Sequence, residues 1–74
     1  MTKADVLVVL TDMESLCADE VAGLLGVARR TASMALLRLV RQGLAARWLE
    51  GTDPRIRYAI TSRGRGRLAH LIGR

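Results

Sequence analysis

Arg29, Arg30, Arg38, Arg55 and Arg57 each carry a planar fork of donors, the shape that grips phosphate oxygens and guanine edges. Thr31 and Ser33 add hydroxyls beside the first pair, suited to holding a phosphate or capping a helix. This is chemistry of recognition rather than of bond-making. No pair of carboxylates, no Cys/His constellation and no phosphate-cradling glycine loop stands out, so an enzyme is the least supported class. One cysteine, Cys17, and one histidine, His70, provide neither an internal disulfide nor zinc-ligand spacing, and no cofactor or metal is expected. RNA is a minor alternative, because no aromatic stacking platform is present.

The charge is uneven along the chain. Twelve Lys plus Arg stand against seven Asp plus Glu, a formal net charge of +5, and Lys3 is the only lysine. Asp5, Asp12, Glu14, Asp19 and Glu20 fall in the first twenty positions, whereas the arginines run from Arg29 to Arg74. A basic field confined to the later part of a small domain points to nucleic acid. A chain of 74 residues makes one domain, residues 1–74, with a limited core that a partner subunit could complete. Without Phe, and with one Trp and one Tyr, that core must be aliphatic. The apolar run Val6–Leu10 is too short to span a bilayer, and no signal peptide is evident. No membrane association and a cytoplasmic location are the expectation.

The elements that must position these arginines follow from spacing. Thr2-Lys3-Ala4-Asp5 resembles a capping box with Asp in place of Glu, which predicts a helix from about Lys3 to about Met13. Val6, Val9, Leu10 and Met13 form its inner stripe, while Leu7 and Val8 fall outside it. That excess fits either contact with a second copy of the chain or a deeply buried helix. Glu14-Ser15-Leu16 reads as a connector. Cys17 takes the N-cap position of a second helix, whose inner face is Val21, Ala22, Leu24 and Leu25. A thiol there is either activated by the helix terminus or simply a buried small residue, and Asp19 and Glu20 oppose activation. Gly26-Val27-Ala28 is a tight turn, with Gly26 able to take positive φ.

A third helix, about 28–42, has two faces. Ala32, Ala35, Leu36, Leu39 and Val40 face a core, while Arg30, Ser33, Met34, Leu37, Arg38 and Arg41 face away. A helical pair presenting basic and hydroxylic groups from its second member is the layout of a helix-turn-helix DNA reader. After Gly43, the stretches 44–50 and 55–60 alternate as two strands around the turn Gly51-Thr52-Asp53-Pro54. Ile56, Tyr58 and Ile60 share one face of the second strand, and Arg55 and Arg57 the other. Thr61-Ser62 opens a last helix running towards Ile72. Its apolar contacts are Leu68, Leu71 and Ile72, and Gly64 and Gly66 weaken it by roughly 1 kcal/mol each.

Helix, extended piece, helix, turn, helix and hairpin is the winged helix-turn-helix order. The stretch from Leu25 to Arg47 resembles the recognition-helix segment of MarR-type regulators, with relatives in the PadR and ArsR types. Leu25, Gly26, Val27, Thr31, Leu39, Gly43, Leu44 and Arg47 match its pattern. Asp53-Pro54-Arg55 resembles the D-x-R wing tip of the MarR type, and Tyr58 through Gly64 to Leu68 resembles an ending shared by several winged-helix families. The resemblance implies that Arg55 enters a minor groove and that Asp53 orients it. Ala28 departs from the family's usual Ser or Thr cap, and Met34, Leu37 and Val40 stand where polar residues are common.

The expected architecture is therefore α+β, mainly α: a three-helix core, a C-terminal β-hairpin wing and a short last helix. The expected function is sequence-specific binding of double-stranded DNA by a transcriptional regulator. Helix 28–42 would lie in the major groove and wing 51–57 on the minor groove or backbone. The expected contact residues are Arg29, Arg30, Thr31, Ser33, Arg38, Arg55 and Arg57, with Asp53 orienting the wing. A homodimer through the first and last helices is expected. The alternative is a winged-helix protein–protein module in a nucleic-acid-processing assembly.

Overall fold

The computed structural model describes residues 1–73, and Arg74 lies outside them. Seven elements follow one another: α1 (Lys3–Thr11), β1 (Leu16–Cys17), α2 (Ala18–Leu25), α3 (Arg29–Arg41), β2 (Ala45–Leu49), β3 (Ile56–Ile60) and α4 (Ser62–Ile72). The expected mainly helical winged-helix architecture is present. Among the described residues no helix is long and apolar enough to cross a membrane.

Local signals set the boundaries. Thr2 Oγ1 accepts from the Asp5 N–H at 3.3 Å, and the Asp5 carboxylate accepts from the Thr2 N–H at 2.8 Å, so the capping box opens α1. Gly26 ends α2 at φ 68° and Gly43 follows α3 at φ 75°, both left-handed positions that a side chain would strain. Gly26 lets the chain reverse between α2 and α3, which packs the two helices together, and Gly43 turns the chain from α3 into β2.

The core lies between the three helices and the sheet. Val6, Leu7 and Leu10 of α1, Val21 and Ala22 of α2, and Ala32, Leu36 and Leu39 of α3 are buried with Leu16, Leu44, Tyr58 and Leu68. Aliphatic side chains dominate it, as the composition required.

Three apolar assignments differ from expectation. Leu7 is fully buried while Met13 is 53% exposed, because α1 stops at Thr11 and Met13 lies beyond its last turn. Leu24 is 63% exposed, because it lies off the stripe of Ala18, Val21 and Ala22 that α2 turns inward. Leu71 and Ile72 remain exposed at the end of α4, beyond the last buried contact at Leu68. Val8 also stays exposed on α1, which packs against α4.

The connector before α2 contains a short strand. Leu16 and Cys17 pair antiparallel with Tyr58 and Arg57, so β1 joins β3 and the sheet order is β1-β3-β2. The hairpin register runs from Ala45↔Ile60 to Leu49↔Ile56. Period-2 alternation places Tyr58 inside, yet Ile56 is 37% exposed because it sits where the hairpin leaves the body.

Candidate nucleic-acid interface

The first turn of α3 and the tip of the wing lie across one cleft of about 300 Å³. Arg29 and Ser33 line one side; Pro54, Arg55 and Ile56 line the other, with Asp19 and Tyr58 between. The tight turn at Gly26 aims α3 so that its N-terminal end opens towards the wing. Ala28 occupies the N-cap of α3 and makes no side-chain capping bond. The first-turn N–H groups of that helix therefore have no side chain over them.

The expected contact residues divide into two groups. Arg29, Arg30, Thr31, Ser33 and Arg55 belong to the open end of α3 and the wing tip. Arg29 Nε reaches Asp19 Oδ1 at 2.8 Å, an exposed pair held weakly in water. Arg30 and Thr31 are exposed, and Arg30 makes no ion pair among the described residues.

Arg38 and Arg57 stand apart from the cleft. Arg38 lies in the last turn of α3, where it borders a separate recess with Lys3, Ala35 and Gln42. Arg57 turns inward. Its Nη2 donates to the Ser15 carbonyl and to Ser15 Oγ, each at 2.9 Å, and its Nε donates to Ser15 Oγ at 3.1 Å. Only 19% of its side chain is exposed, against 54% for Arg55. Ser15 and Glu20, the acceptors that hold it, are 42 and 37 residues away in sequence, and no local spacing announces them.

The wing tip is organised by Asp53. Its carboxylate accepts from Arg55 Nε at 3.1 Å and Nη2 at 2.9 Å, and from the Arg55 backbone N–H at 2.9 Å. The guanidinium hydrogen bonds first, then the backbone one, hold the Asp53 carboxyl at about 2, below its ordinary 3.8, and raise Arg55. Because the folded value is the lower one, the pair's stabilising effect is complete above pH 3.8 and lost as pH falls towards 2. Carboxyl carbon shifts followed by NMR should show Asp53 titrating at about 2, below its ordinary 3.8. Asp53→Asn should abolish that titration and broaden the Arg55 side-chain signals.

Glu20 is held below its ordinary carboxyl value, chiefly by the Cys17 backbone N–H at 2.9 Å, with the Arg57 charge adding. Cys17 itself is buried, at 2% exposure. Among the described residues no group of three or more His, Cys, Asp or Glu side chains is placed to hold a metal ion.

No family model and no curated protein matches the sequence. Solved structures do match its shape. A MarR family transcriptional regulator from Silicibacter pomeroyi DSS is similar with a TM-score of 0.81 and 30% identity, over 93% of this chain and 47% of that one. The YusO protein from Bacillus subtilis reaches a TM-score of 0.90 at 24% identity, over 96% of this chain and 51% of that one. Wild-type MarR from E. coli gives 0.84 at 21% identity, over 97% and 56%. The chain thus spans about half the length of the solved proteins it matches. Helices, three-stranded sheet and hairpin wing together make this chain a MarR-like winged helix-turn-helix.

Proposed function

We propose that the chain binds double-stranded DNA as the DNA-reading part of a transcriptional regulator. The observation that carries this reading is the cleft where the open end of α3 faces an arginine held at the wing tip. Helix α3 lies in the major groove, with Arg30 and Ser33 reaching base edges and Arg29 and Thr31 reaching phosphates. Arg29 exchanges Asp19 for a phosphate as it docks. The uncovered first-turn N–H groups of α3 support an anion at the same end. Arg55, prepositioned by Asp53, meets the neighbouring minor groove or its backbone. Arg38 holds backbone at the far end of α3, and Arg57 works from inside the fold.

Two copies are the working unit. Val8, Leu71 and Ile72 leave apolar surface exposed on α1 and α4, the pair of helices expected to dimerise. A two-fold dimer reads two half-sites about one helical turn apart.

Duplex titration by fluorescence anisotropy at 50 and 200 mM salt tests the reading. With four to six phosphate contacts, affinity should fall by about 100- to 2000-fold between the two conditions. Retained affinity with no salt dependence, or no duplex binding at 50 mM salt, would refute it.

A further inference from the structure

We infer that Arg57 is the positioning residue of the wing: it ties β3 to Ser15 and Glu20 ahead of α2, and so sets where Arg55 stands relative to α3. The inference rests on the DNA-binding reading for its consequence, and on the geometry of the chain alone for the tie.

The wing needs such a tie. Besides its covalent joins to α3 and α4 and its packing on α1, the wing pairs with the body through β1, which is only two residues long and pairs Leu16 with Tyr58 and Cys17 with Arg57. A ladder this short gives little resistance to a hairpin swinging about it. The Arg57 side chain extends the attachment beyond the end of the ladder. It grips both the carbonyl and the hydroxyl of Ser15, and its Nη1 lies 3.5 Å from Glu20 Oε1. The same Glu20 oxygen accepts the Cys17 N–H at 2.9 Å. One carboxylate thus joins the first turn of α2, the backbone of β1 and the wing.

The residue type fits this work. Three acceptors lie around one guanidinium, and only the fork of arginine meets them together; a lysine ammonium is a point charge on a flexible stem. Placement matters as much. Arg55 lies in the bend directly before β3, two residues from Arg57, and lines the cleft with Ile56 and Tyr58. Holding the start of β3 at Arg57 therefore sets where that bend, and Arg55 with it, stands against α3. Asp53 then sets the guanidinium of Arg55 within the tip. Position is controlled at two levels, strand against body and side chain against tip.

A mostly covered guanidinium that already holds two or three protein acceptors has little left for a phosphate. This separates Arg57 from Arg55 in a measurable way. Loss of a phosphate contact lowers the slope of log affinity against log salt by about 0.9, whereas loss of a positioning contact lowers affinity and leaves the slope unchanged.

The experiment compares Arg57→Gln, Ser15→Ala and Arg55→Gln in the full chain. In the protein without DNA, Arg57→Gln should speed amide hydrogen exchange across the β1–β3 pair by ~10-fold or more, with Ser15→Ala in the same direction and smaller. With duplex, Arg57→Gln should weaken binding by ~5- to 20-fold at constant slope, while Arg55→Gln lowers both affinity and slope. Joined in one chain, the two substitutions should cost little more than Arg55→Gln alone, because Arg57 acts through Arg55. Three results overturn the inference: a slope reduced by about 0.9 in Arg57→Gln, losses that add in the double variant, or unchanged affinity. A wild-type chain with no duplex affinity overturns the DNA-binding reading and the role of Arg57 in it. Unchanged hydrogen exchange in Arg57→Gln overturns the tie itself. Ser15→Ala, which keeps the carbonyl acceptor and all charges, decides the matter if Arg57→Gln fails to fold.

Discussion

Replacing Arg30 and Arg55 together by alanine should lower duplex affinity by about 100-fold, at about 1–2 kcal/mol for each arginine. The two residues probe the two elements that frame the cleft, α3 and the wing. Arg30 is exposed near the start of α3 and makes no ion pair among the described residues, so nothing within them competes for it. Arg55 is held by Asp53 and reaches DNA with its side chain already ordered, which reduces the entropy lost on contact. The salt slope should fall by about 1 to 2, depending on whether Arg30 meets a phosphate or a base edge. If Arg30 reads a guanine, Arg30→Ala alone should also narrow the gap between a preferred and a scrambled duplex by about 1–3 kcal/mol. Fluorescence anisotropy over a salt series measures all three quantities. Wild-type affinity in the double variant would place the DNA surface elsewhere.

The second large effect concerns two glycines in α4 that look alike in sequence. Gly64 is buried, and a Cβ added there would sit 2.0 Å from the Leu44 carbonyl oxygen and 2.7 Å from Ile60 Cγ1. The oxygen belongs to the backbone and is already committed, accepting the Thr61 N–H at 3.1 Å. Thr61 in turn donates from Oγ1 to the Gly43 carbonyl at 2.7 Å and accepts the Gly64 N–H at 3.0 Å. The start of α4 is therefore pinned to the turn after α3, and Gly64 is where the two backbones touch.

Gly64→Ala should destabilise the chain by about 3 kcal/mol, the upper range for overpacking, since backbone and not a flexible side-chain end must yield. For a domain of this size the melting temperature should drop by ~12–24 °C. Gly66 stands two residues further on, and its added Cβ meets nothing within 4 Å. Gly66→Ala should stabilise by about 0.4–1 kcal/mol through helix propensity and reduced unfolded-chain freedom. Circular dichroism melts of the two variants should therefore move in opposite directions. Parallel shifts would mean that the approach of α4 to Leu44 is not as described.

Element type and order were legible in the sequence because they rest on local physics. Spacing of apolar residues marked the helices, alternation marked the hairpin, and Thr2, Cys17, Gly26, Gly43 and Thr61 marked where elements start or stop. Each of these signals acts within about four residues of its cause, the reach of a helix turn or a cap. The winged helix-turn-helix followed from their sequence alone.

What only the tertiary structure decided is which residues of each element find a partner. Met13 and Leu24 continue apolar patterns yet face outward, because α1 ends early and Leu24 lies off the stripe of Ala18, Val21, Ala22 and Leu25 that α2 turns to the core. Gly64 and Gly66 carry the same propensity, and only the passage of Leu44 beside one of them gives them opposite roles. Arg55 and Arg57 hold the same place in the alternating pattern of the sequence, yet Arg55 lies in the bend before β3 and Arg57 within the strand. Asp53, two residues away, was visible as the partner of the first. Ser15, 42 residues away, became the partner of the second when β1 paired with β3. Propensity and periodicity record the chain's preferences near each residue, whereas partners distant in sequence are chosen by packing.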